Sequence, residues 1–510
     1  MPFSILSRRA FLSNSGLAAL AFPCRNLFAL TPIAPVTMRT RDGALRGEQA
    51  NGVSVFRGVP FAEPPIGALR FRPPVKSKSW SGERDASRFA AAAMQTGEPG
   101  VEHSEDCLYL NIWAPAGKGP FPVYIWIHGG GFTAGHAFEP MYDGSMLAQA
   151  GIVCVSVAYR LGVFGFLDVE PLLGAEYAGS ANNALRDLIA ALQWTQENIA
   201  DFGGDPSRVT VGGESAGAKL TDILLGTPSA QPLFHQGISE SGGAERVGTR
   251  AESAAVAQGF GELWRAENEI STLRTAAAAS LIQAQQQFLK KWPQHFPLRT
   301  EIDGSLLPRR PIETIAAGSK VAKRLLIGTN RDESAMFIGP HPASDAGAAD
   351  LGNLSTARFA EIFRKYREIY PQMTDEQRRI RALTAEEYWI PSLRVADALL
   401  KGGGKAWMYR LDFAESNGRL RGYAFHSLDV RLVWDRPSPE AANVDEETAL
   451  AQQMSQAWRS FLRGEQPNSA GLPVWPEYRD GTRPTMALDT HSSVERTPQE
   501  AELRLWNAVL

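Results

Sequence analysis

Short apolar runs alternate with stretches of helical periodicity along most of this chain. The runs Val123–Ile127 and Ile152–Ala158 are typical of buried strands, whereas Asn182–Asp201 repeats leucine at helical spacing. The same pattern predicts strands over Leu108–Ala114, Val209–Val211, Gly237–Ser241, Arg324–Thr329, Trp407–Leu411 and Thr485–Leu488, and a helix over Met454–Leu462. Strands that alternate with helices and are bounded by glycine or proline turns predict a large, mostly parallel α/β sheet with helices on both faces.

Three regions depart from this alternation. Residues 37–56 alternate around the turn pairs Asp42-Gly43 and Asn51-Gly52, which predicts a β meander at the edge of the sheet. Residues 56–74 contain too many prolines for a helix and predict an ordered irregular loop. Residues 250–296 are rich in alanine and glutamine and predict helices, which could roof a functional site or serve only as scaffold.

Composition and charge narrow the function classes. A net charge of −3 and the absence of a dense Lys/Arg block after the N-terminus give no field that would attract nucleic acid, so no nucleic-acid partner is expected. No apolar run after the N-terminus reaches the length of a membrane span. The mature protein is therefore expected to be soluble. A chain of 510 residues could hold several domains, but large α/β folds often absorb such a length as one.

The N-terminus predicts an export signal. Two arginines, Arg8 and Arg9, stand in the run SRRAFL and precede the weakly apolar stretch Gly16–Phe22, a pattern that resembles a twin-arginine signal. Residues 1–30 are assigned to this signal, which would carry the protein to the periplasm or outside the cell. The alternative is a disordered tail with two arginines by chance.

The three cysteines indicate neither a disulfide framework nor a zinc site. Cys24 would leave with the signal, and Cys154 lies in an apolar run where a buried strand thiol is expected. Cys107 has no obvious partner.

The stretch VTVGGESAG, residues 209–217, carries the first chemical signal. It sets Ser215 on a turn between a β-branched strand and an apolar-periodic helix, as in a nucleophile elbow. In such an elbow Gly213 and Gly217 are needed because the backbone is strained and neighbouring elements pass close, so that a Cβ at either position would clash. The alternative for the pentapeptide alone is a surface turn that happens to contain serine.

Two more features match an acyl-transfer site. The glycine run in WIHGGGF, which includes Gly130 and Gly131, follows a predicted strand and leaves backbone N–H groups free to face a ligand. Alone it could be a flexible loop, but with the downstream serine it predicts an oxyanion hole. A serine hydroxyl needs a base and an orienting acid, and Ser215, Glu333 and His426 follow in the chain order of the α/β-hydrolases.

With these residues the sequence resembles a bacterial type B carboxylesterase, in the carboxylesterase/cholinesterase family of α/β-hydrolases. The resemblance covers nearly the whole mature chain as one domain, residues 36–508. The matching stretches, in family order, are FRGVPFAEPPIGALRF, SEDCLYLNIWAP, WIHGGGF, AYRLGVFGFL, FGGDPSRVTVGGESAG, LFHQGISESGG, IGTNRDES, FHSLDV and VWPEY. The resemblance implies an α/β-hydrolase fold with helical insertions around an active-site gorge.

The resemblance also implies residue roles. Ser215 would be the nucleophile, His426 the general base and acid, and Glu333 the triad acid, with Gly130, Gly131 and Ala216 donating N–H groups to the oxyanion. Asp332, beside Glu333, would hold the loop instead. Glu214 is expected to point away from Ser215 as a buried supporting carboxylate, paired with Ser241.

This chain departs from the family pattern at several positions. Met94 stands in the region where a cysteine often closes a disulfide with the equivalent of Cys107, and residues 95–104 lack tryptophan. Without that aromatic platform a choline ester is not expected. Ala218 and Lys219 replace the usual glycine and small residue after the elbow. Lys219 could face either a neighbouring loop or the gorge.

The expected function is hydrolysis of a small to medium carboxylic ester through an acyl-enzyme intermediate. The partner is a small-molecule ester, and no metal or organic cofactor is expected. An amidase or thioesterase with the same triad stays open as an alternative. A non-catalytic adhesion module is disfavoured, because such relatives usually lack the serine or its partners.

Overall fold

A mixed sheet of 13 strands forms the centre of the computed structural model, which describes residues 33–97, 99–293, 296–342, 354 and 356–509. The predicted export signal at residues 1–30, with Cys24, lies outside the described residues. The strands in chain order are β1 Ala34–Arg39, β2 Ala44–Ala50, β3 Val53–Pro60, β4 Glu83–Asp85, β5 Ala92–Ala93, β6 His103–Ser104, β7 Tyr109–Pro115, β8 Phe121–Ile127, β9 Val153–Val157, β10 Gly204–Glu214, β11 Gln236–Glu240, β12 Val247–Thr249, β13 Thr300–Ile302, β14 Arg324–Asn330, β15 Lys405–Leu411, β16 Thr485–Leu488 and β17 Ser493–Glu495.

The centre of the sheet is parallel and its flanks are antiparallel. Strands β9, β8, β10, β11, β14, β15 and β16 are neighbours in that order and run parallel. Strands β1, β2, β3 and β7 flank them on one side and β17 on the other, all antiparallel. The predicted parallel sheet is thus confirmed for the centre, and the predicted meander is β1–β3.

Helices pack around this sheet. In chain order the α-helices are α1 Ser145–Gln149, α2 Gly162–Phe166, α3 Glu170–Leu173, α4 Asn183–Asn198, α5 Ala216–Leu225, α6 Arg250–Arg265, α7 Ala278–Lys291, α8 Pro311–Ala317, α9 Ala335–Ile338, α10 Thr356–Ile369, α11 Asp375–Thr384, α12 Ile390–Lys401, α13 Leu428–Val433, α14 Val444–Leu462 and α15 Glu500–Asn507. A π-helical turn, Ala385–Trp389, joins α11 to α12.

Both faces of the central sheet are buried. Along β8, Val123, Ile125 and Ile127 enter one apolar core together with residues of α4 and α5. Tyr124 and Trp126 enter a second core with residues of α14. Because successive side chains of a strand point to opposite faces, the two cores lie on opposite sides of the sheet, as the continuous apolar runs predict.

The observed helices differ from the predictions at the start of α14 and in the segment that contains α11 and α12. The helix predicted to begin at Met454 begins at Val444, because its first turn holds Asp445, Glu446 and Glu447. Acidic residues suit a helix N-terminus but carry no apolar periodicity. The helical segment 375–401 was not predicted, and it brings the π-helical turn Ala385–Trp389 into the structure.

Within the described ranges, no helix is both long and apolar enough to cross a bilayer. In the same part of the chain, no cluster of three or more His, Cys, Asp or Glu side chains could hold a metal ion.

Strand β10 fixes the place of the functional residues. It lies between β8 and β11, with Gly213 opposite Ile127 and Glu214 opposite Glu240. All these strands are parallel, so the segments that follow β8, β10, β11 and β14 emerge at one edge of the sheet. Such an edge is where α/β proteins bind ligands.

Candidate active site

Ser215 lies on a strained turn between β10 and α5. Its backbone has φ 57° and ψ −121°, a region that residues other than glycine rarely adopt. A Cβ placed on Gly217 would lie 2.0 Å from the Ile127 carbonyl oxygen, and one on Gly213 would lie 2.3 Å from the same atom. The close backbone approach predicted for these two glycines is therefore present, and it comes from β8.

A continuous chain of hydrogen bonds joins Ser215, His426 and Glu333. The Ser215 Oγ lies 2.8 Å from His426 Nε2, and Glu333 Oε2 lies 2.6 Å from His426 Nδ1. Glu333 follows β14, and His426 lies in the loop before α13. Glu333 is fully buried and His426 is 3% exposed. The structure thus brings the three predicted residues into the arrangement of a nucleophile, a base and an orienting acid.

Glu333 is held by two further donors. The Ser241 hydroxyl donates to Glu333 Oε1 at 2.6 Å, and the backbone N–H of Asn330 donates to the same oxygen at 2.7 Å. The prediction that Ser241 pairs with Glu214 is therefore wrong. Ser241 directly follows β11, the strand between β10 and β14, and this position brings its hydroxyl to the acid after β14.

Glu214 does not point away from the site. Its Oε1 lies 3.2 Å from His426 Nε2 and accepts a hydrogen bond from the Ser427 hydroxyl at 2.5 Å. A Cβ on Gly129 would lie 2.8 Å from Glu214 Oε2 and 3.2 Å from Ser215 Cβ, so both side chains border the same glycine. The prediction is wrong because the positive φ of Ser215 breaks the usual alternation of side chains along a strand.

Burial and charge shift the pKa values of this cluster. Burial alone would lower the pKa of His426, but the carboxylates of Glu214 and Glu333 outweigh it and raise the pKa to about 9. Burial raises the pKa of Glu214 to about 7, although the nearby imidazole opposes this shift. A positive imidazole is therefore well stabilised here.

The glycine loop follows β8 and lies against the nucleophile. Gly130 and Gly131 have φ values of 109° and 60°, and the Gly130 carbonyl accepts from the amides of Thr133 and Ala134. A Cβ on Gly130 would lie 2.0 Å from the Ala134 oxygen, so this turn requires glycine. Ala216 is the first residue of α5, and its amide is among those that have no acceptor within a helix.

Two residues near the site hold loops. His128 is buried, stacks on Tyr159 at 4.6 Å between ring centroids, and has its pKa lowered to about 4 by burial. Asp332 exchanges hydrogen bonds with the backbone of Ala424, two residues before His426. The contacts of Asp332 agree with the loop-holding role expected for it.

Two aromatic rings flank His426, and sequence reasoning did not assign either. The ring centroid of Tyr388 lies 4.8 Å from that of the imidazole, and the centroid of Phe337 lies 5.1 Å from it. Tyr388 is buried, whereas Phe337 is 42% exposed. Phe337 stands four residues after Glu333, within the helical turn that follows the acid, and this spacing was the available signal.

The remaining cysteines are both free. Cys107 and Cys154 are fully buried, and burial raises the pKa of each thiol. Cys154 lies on β9, as predicted for a strand thiol. Neither thiol is therefore a reactive nucleophile.

The chain is similar in sequence to known esterases. The sequence model described as "Carboxylesterase family" matches residues 34–506. The para-nitrobenzyl esterase of Bacillus subtilis is 35% identical over 482 residues, covering 90% of this chain and 96% of that protein. The fumonisin B1 esterase of Sphingopyxis macrogoltabida is 34% identical over 487 residues, covering 91% and 87%.

The structure is also similar to solved structures of carboxylesterases. A carboxylesterase of Geobacillus stearothermophilus superimposes with a TM-score of 0.81 at 33% identity, covering 92% of this chain and 99% of that one. A structure of PNB esterase gives a TM-score of 0.81 at 32% identity with the same coverage.

Proposed function

This chain belongs to the carboxylesterase family, and on that premise we propose that it hydrolyses small to medium carboxylic esters through an acyl-enzyme on Ser215. Its fold is the α/β-hydrolase fold, and its relatives are named carboxylesterases. The observation that carries the proposed mechanism is the unbroken contact from Glu333 through His426 to Ser215, at 2.6 and 2.8 Å.

Acylation uses these contacts directly. Ser215 Oγ attacks the acyl carbonyl while His426 Nε2, 2.8 Å away, accepts its proton. Glu333 Oε2 accepts a hydrogen bond from Nδ1–H, which keeps the proton on Nδ1 and leaves Nε2 free as the proton acceptor. The imidazolium then gives its proton to the departing alkoxide. The alcohol dissociates, and the acyl group remains bound to Ser215 as an ester.

The negative charge of the tetrahedral intermediate needs donors that are already in place. The amides of Gly130, Gly131 and Ala216 belong to the two segments that meet at Ser215, the glycine loop and the start of α5. Each such donor contributes about 3 kcal/mol to transition-state stability in enzymes of this kind.

Deacylation repeats these steps with water as the nucleophile. His426 accepts a proton from water while the water oxygen adds to the acyl carbonyl carbon. The bond between this carbon and Ser215 Oγ then breaks. His426 returns the proton to Ser215 Oγ, and the carboxylic acid is released. The free enzyme is restored with all protons balanced.

Ester specificity is tested by comparing leaving groups that share one acyl chain. We compare p-nitrophenyl butyrate with the butyryl p-nitroanilide and the p-nitrophenyl thioester of butyric acid. We expect the oxygen ester to give the highest kcat/KM. We expect the anilide to be at least about 100-fold slower, a barrier difference of about 3 kcal/mol. The amide is stabilised by resonance, and its amine must be protonated as it leaves. A faster anilide or thioester would assign the site to an amidase or a thioesterase instead.

Glu214→Gln is expected to move the acid limb of the kcat/KM pH profile to lower pH by about one to three units. The Glu214 carboxylate lies 3.2 Å from His426 Nε2 and, with Glu333 and Asp429, raises the pKa of His426. Without that charge the pKa falls, so the neutral base that Ser215 requires persists at lower pH. The profile is measured by pH-stat titration of released acid.

Asp222→Asn is the matched control for this profile. Asp222 is also a buried carboxylate, but it accepts hydrogen bonds from Ser239 and the Gly243 amide rather than facing the imidazole. Its replacement is expected to leave the acid limb in place. An unchanged or raised limb in Glu214→Gln would show that Glu214 does not stabilise the imidazolium.

A further inference from the structure

Lys219 is a buried ammonium in the helix that begins at the nucleophile. It lies one helical turn after Ser215, and its side chain is 7% exposed. Its Nζ donates to the Gly242 carbonyl at 3.0 Å and to the Glu387 carbonyl at 3.3 Å, and it lies 3.1 Å from Glu387 Oε1. The three hydrogens of the ammonium are thus all used, which is the condition for burying it.

These contacts join the segments that carry the triad. Gly242 follows Ser241, whose hydroxyl binds Glu333. Glu387 lies in the π-helical turn Ala385–Trp389, next to the tyrosine that packs on His426. From α5, Lys219 therefore reaches both the segment that holds the acid and the segment that contacts the base.

The same ammonium also contacts the tyrosine itself. Lys219 Nζ lies 4.7 Å from the centroid of the Tyr388 ring, within the range of a cation–π interaction. The Tyr388 ring in turn lies 4.8 Å from the His426 ring. Cation, phenol ring and imidazole are thus in successive contact, from the helix of the nucleophile to the base.

Glu387 does not depend on this lysine for a cationic partner. Glu387 is already paired with Arg246, which reaches it through both Nε and Nη2 and is itself 2% exposed. A buried ion pair seldom stabilises a fold more than an apolar side chain of similar volume would. Single π-helical turns are rare, and they occur frequently at functional sites.

We propose that Lys219 is a positioning residue, which holds Tyr388 against His426 and so fixes the imidazole between Ser215 and Glu333. This inference rests on the proposed function. The buried ring of Tyr388 packs against the imidazole and opposes its rotation. Lys219 contacts the face of this ring and the backbone carbonyl of the preceding residue, Glu387.

Lys219→Met tests the proposal with a side chain of similar length and no charge. The substitution leaves Glu387 paired with Arg246, so no buried carboxylate loses its last partner. We expect kcat on p-nitrophenyl butyrate to fall about 10- to 100-fold, with KM within about twofold, because a misplaced base slows chemistry rather than binding. Rates are expressed per active site, titrated with a fluorophosphonate, so that misfolded protein does not count.

Two variants of the tyrosine and one double variant identify the route of the effect. Tyr388→Phe keeps the ring and is expected to keep kcat within about threefold, whereas Tyr388→Leu is expected to match Lys219→Met. If both residues act through one contact, the Lys219→Met/Tyr388→Leu double variant is no slower than Tyr388→Leu alone. Effects that multiply in the double variant would overturn the proposal.

Lys323→Met is the matched control. Lys323 is likewise buried, donates to the carbonyls of Gln231 and Phe234, and lies 4.6 Å from the centroid of the Phe234 ring. It precedes β14, at the opposite end of that strand from Glu333. We expect Lys323→Met to lower stability but to leave kcat per active site unchanged.

The outcomes separate this inference from the proposed function. If the natural chain hydrolyses the ester and Lys219→Met turns over at the same rate per active site, the positioning role is overturned and the esterase function stands. If the natural chain neither hydrolyses the ester nor reacts with the fluorophosphonate, the proposed function itself fails.

Discussion

Ser215→Ala is expected to lower kcat on p-nitrophenyl butyrate by at least about 10⁴-fold, because it removes the atom that attacks the acyl carbon. The fold should persist, because among the described residues the substitution removes only the hydrogen bond between Ser215 Oγ and His426 Nε2, and the methyl group of alanine fits the same space. Turnover is measured with the ester, covalent capture with a fluorophosphonate and mass spectrometry, and stability by urea unfolding.

Ser239→Ala serves as the control for this result. Ser239 is a fully buried serine on the neighbouring strand β11, and its hydroxyl donates to Asp222 at 2.8 Å. Its loss removes a hydrogen bond to a carboxylate, so it should cost about 1.5 to 3 kcal/mol of unfolding free energy and leave turnover and labelling unchanged. If Ser215→Ala retained more than about a tenth of the turnover, the acyl-enzyme mechanism would have to be abandoned.

The architecture around Ser215 was readable in the sequence because it depends on local patterns. Apolar runs without alternation indicate strands buried on both faces, and those predicted at Val123–Ile127 and Thr485–Leu488 match β8 and β16 in the structure. The glycines of the elbow were also readable, since both meet one carbonyl of β8. Each of these features is encoded within a few neighbouring residues.

The partners of the carboxylates were not readable, because they lie far apart along the chain. Ser427 binds Glu214 across 213 positions, and Ser241 binds Glu333 across 92. Which of two nearby acids a serine hydroxyl reaches depends on the backbone dihedrals of the turns, and Ser215, Ser241 and Ser427 all have positive φ. No periodicity reports such a conformation.

The contacts from Lys219 through Tyr388 to His426 could not be predicted from the sequence for a related reason. Lys219 stood out as a departure from the family pattern, but its direction depends on a π-helical turn more than 160 residues away. A π-helical turn has no compositional signal of its own, and its segment contains ordinary helix-forming residues. The lysine could therefore be singled out from the sequence, while its partners had to come from the structure.

Glu333→Gln is expected to lower kcat by about 10⁴-fold while leaving the shape of the site unchanged. Glu333 Oε1 accepts from the fixed Asn330 amide and from Ser241, and Oε2 accepts from His426 Nδ1. The amide oxygen of glutamine must face Asn330, so its NH₂ group faces Nδ1. Nδ1 then becomes an acceptor and Nε2 carries the proton, which prevents it from accepting the proton of Ser215. Steady-state kinetics on the ester measure this loss.

Ser241→Ala separates the charge and tautomer effect from simple loosening of the acid. It removes one donor to Glu333 Oε1 but keeps the carboxylate, the Asn330 amide and the bond to Nδ1. A hydrogen bond to a charged group contributes about 1.5 to 3 kcal/mol, so stability should fall while kcat falls no more than about tenfold. If Glu333→Gln were as active as Ser241→Ala, the negative charge and the Nδ1 acceptor would not matter for catalysis. The acid would then act only by holding the ring in place, and orientation rather than the tautomer would govern the base.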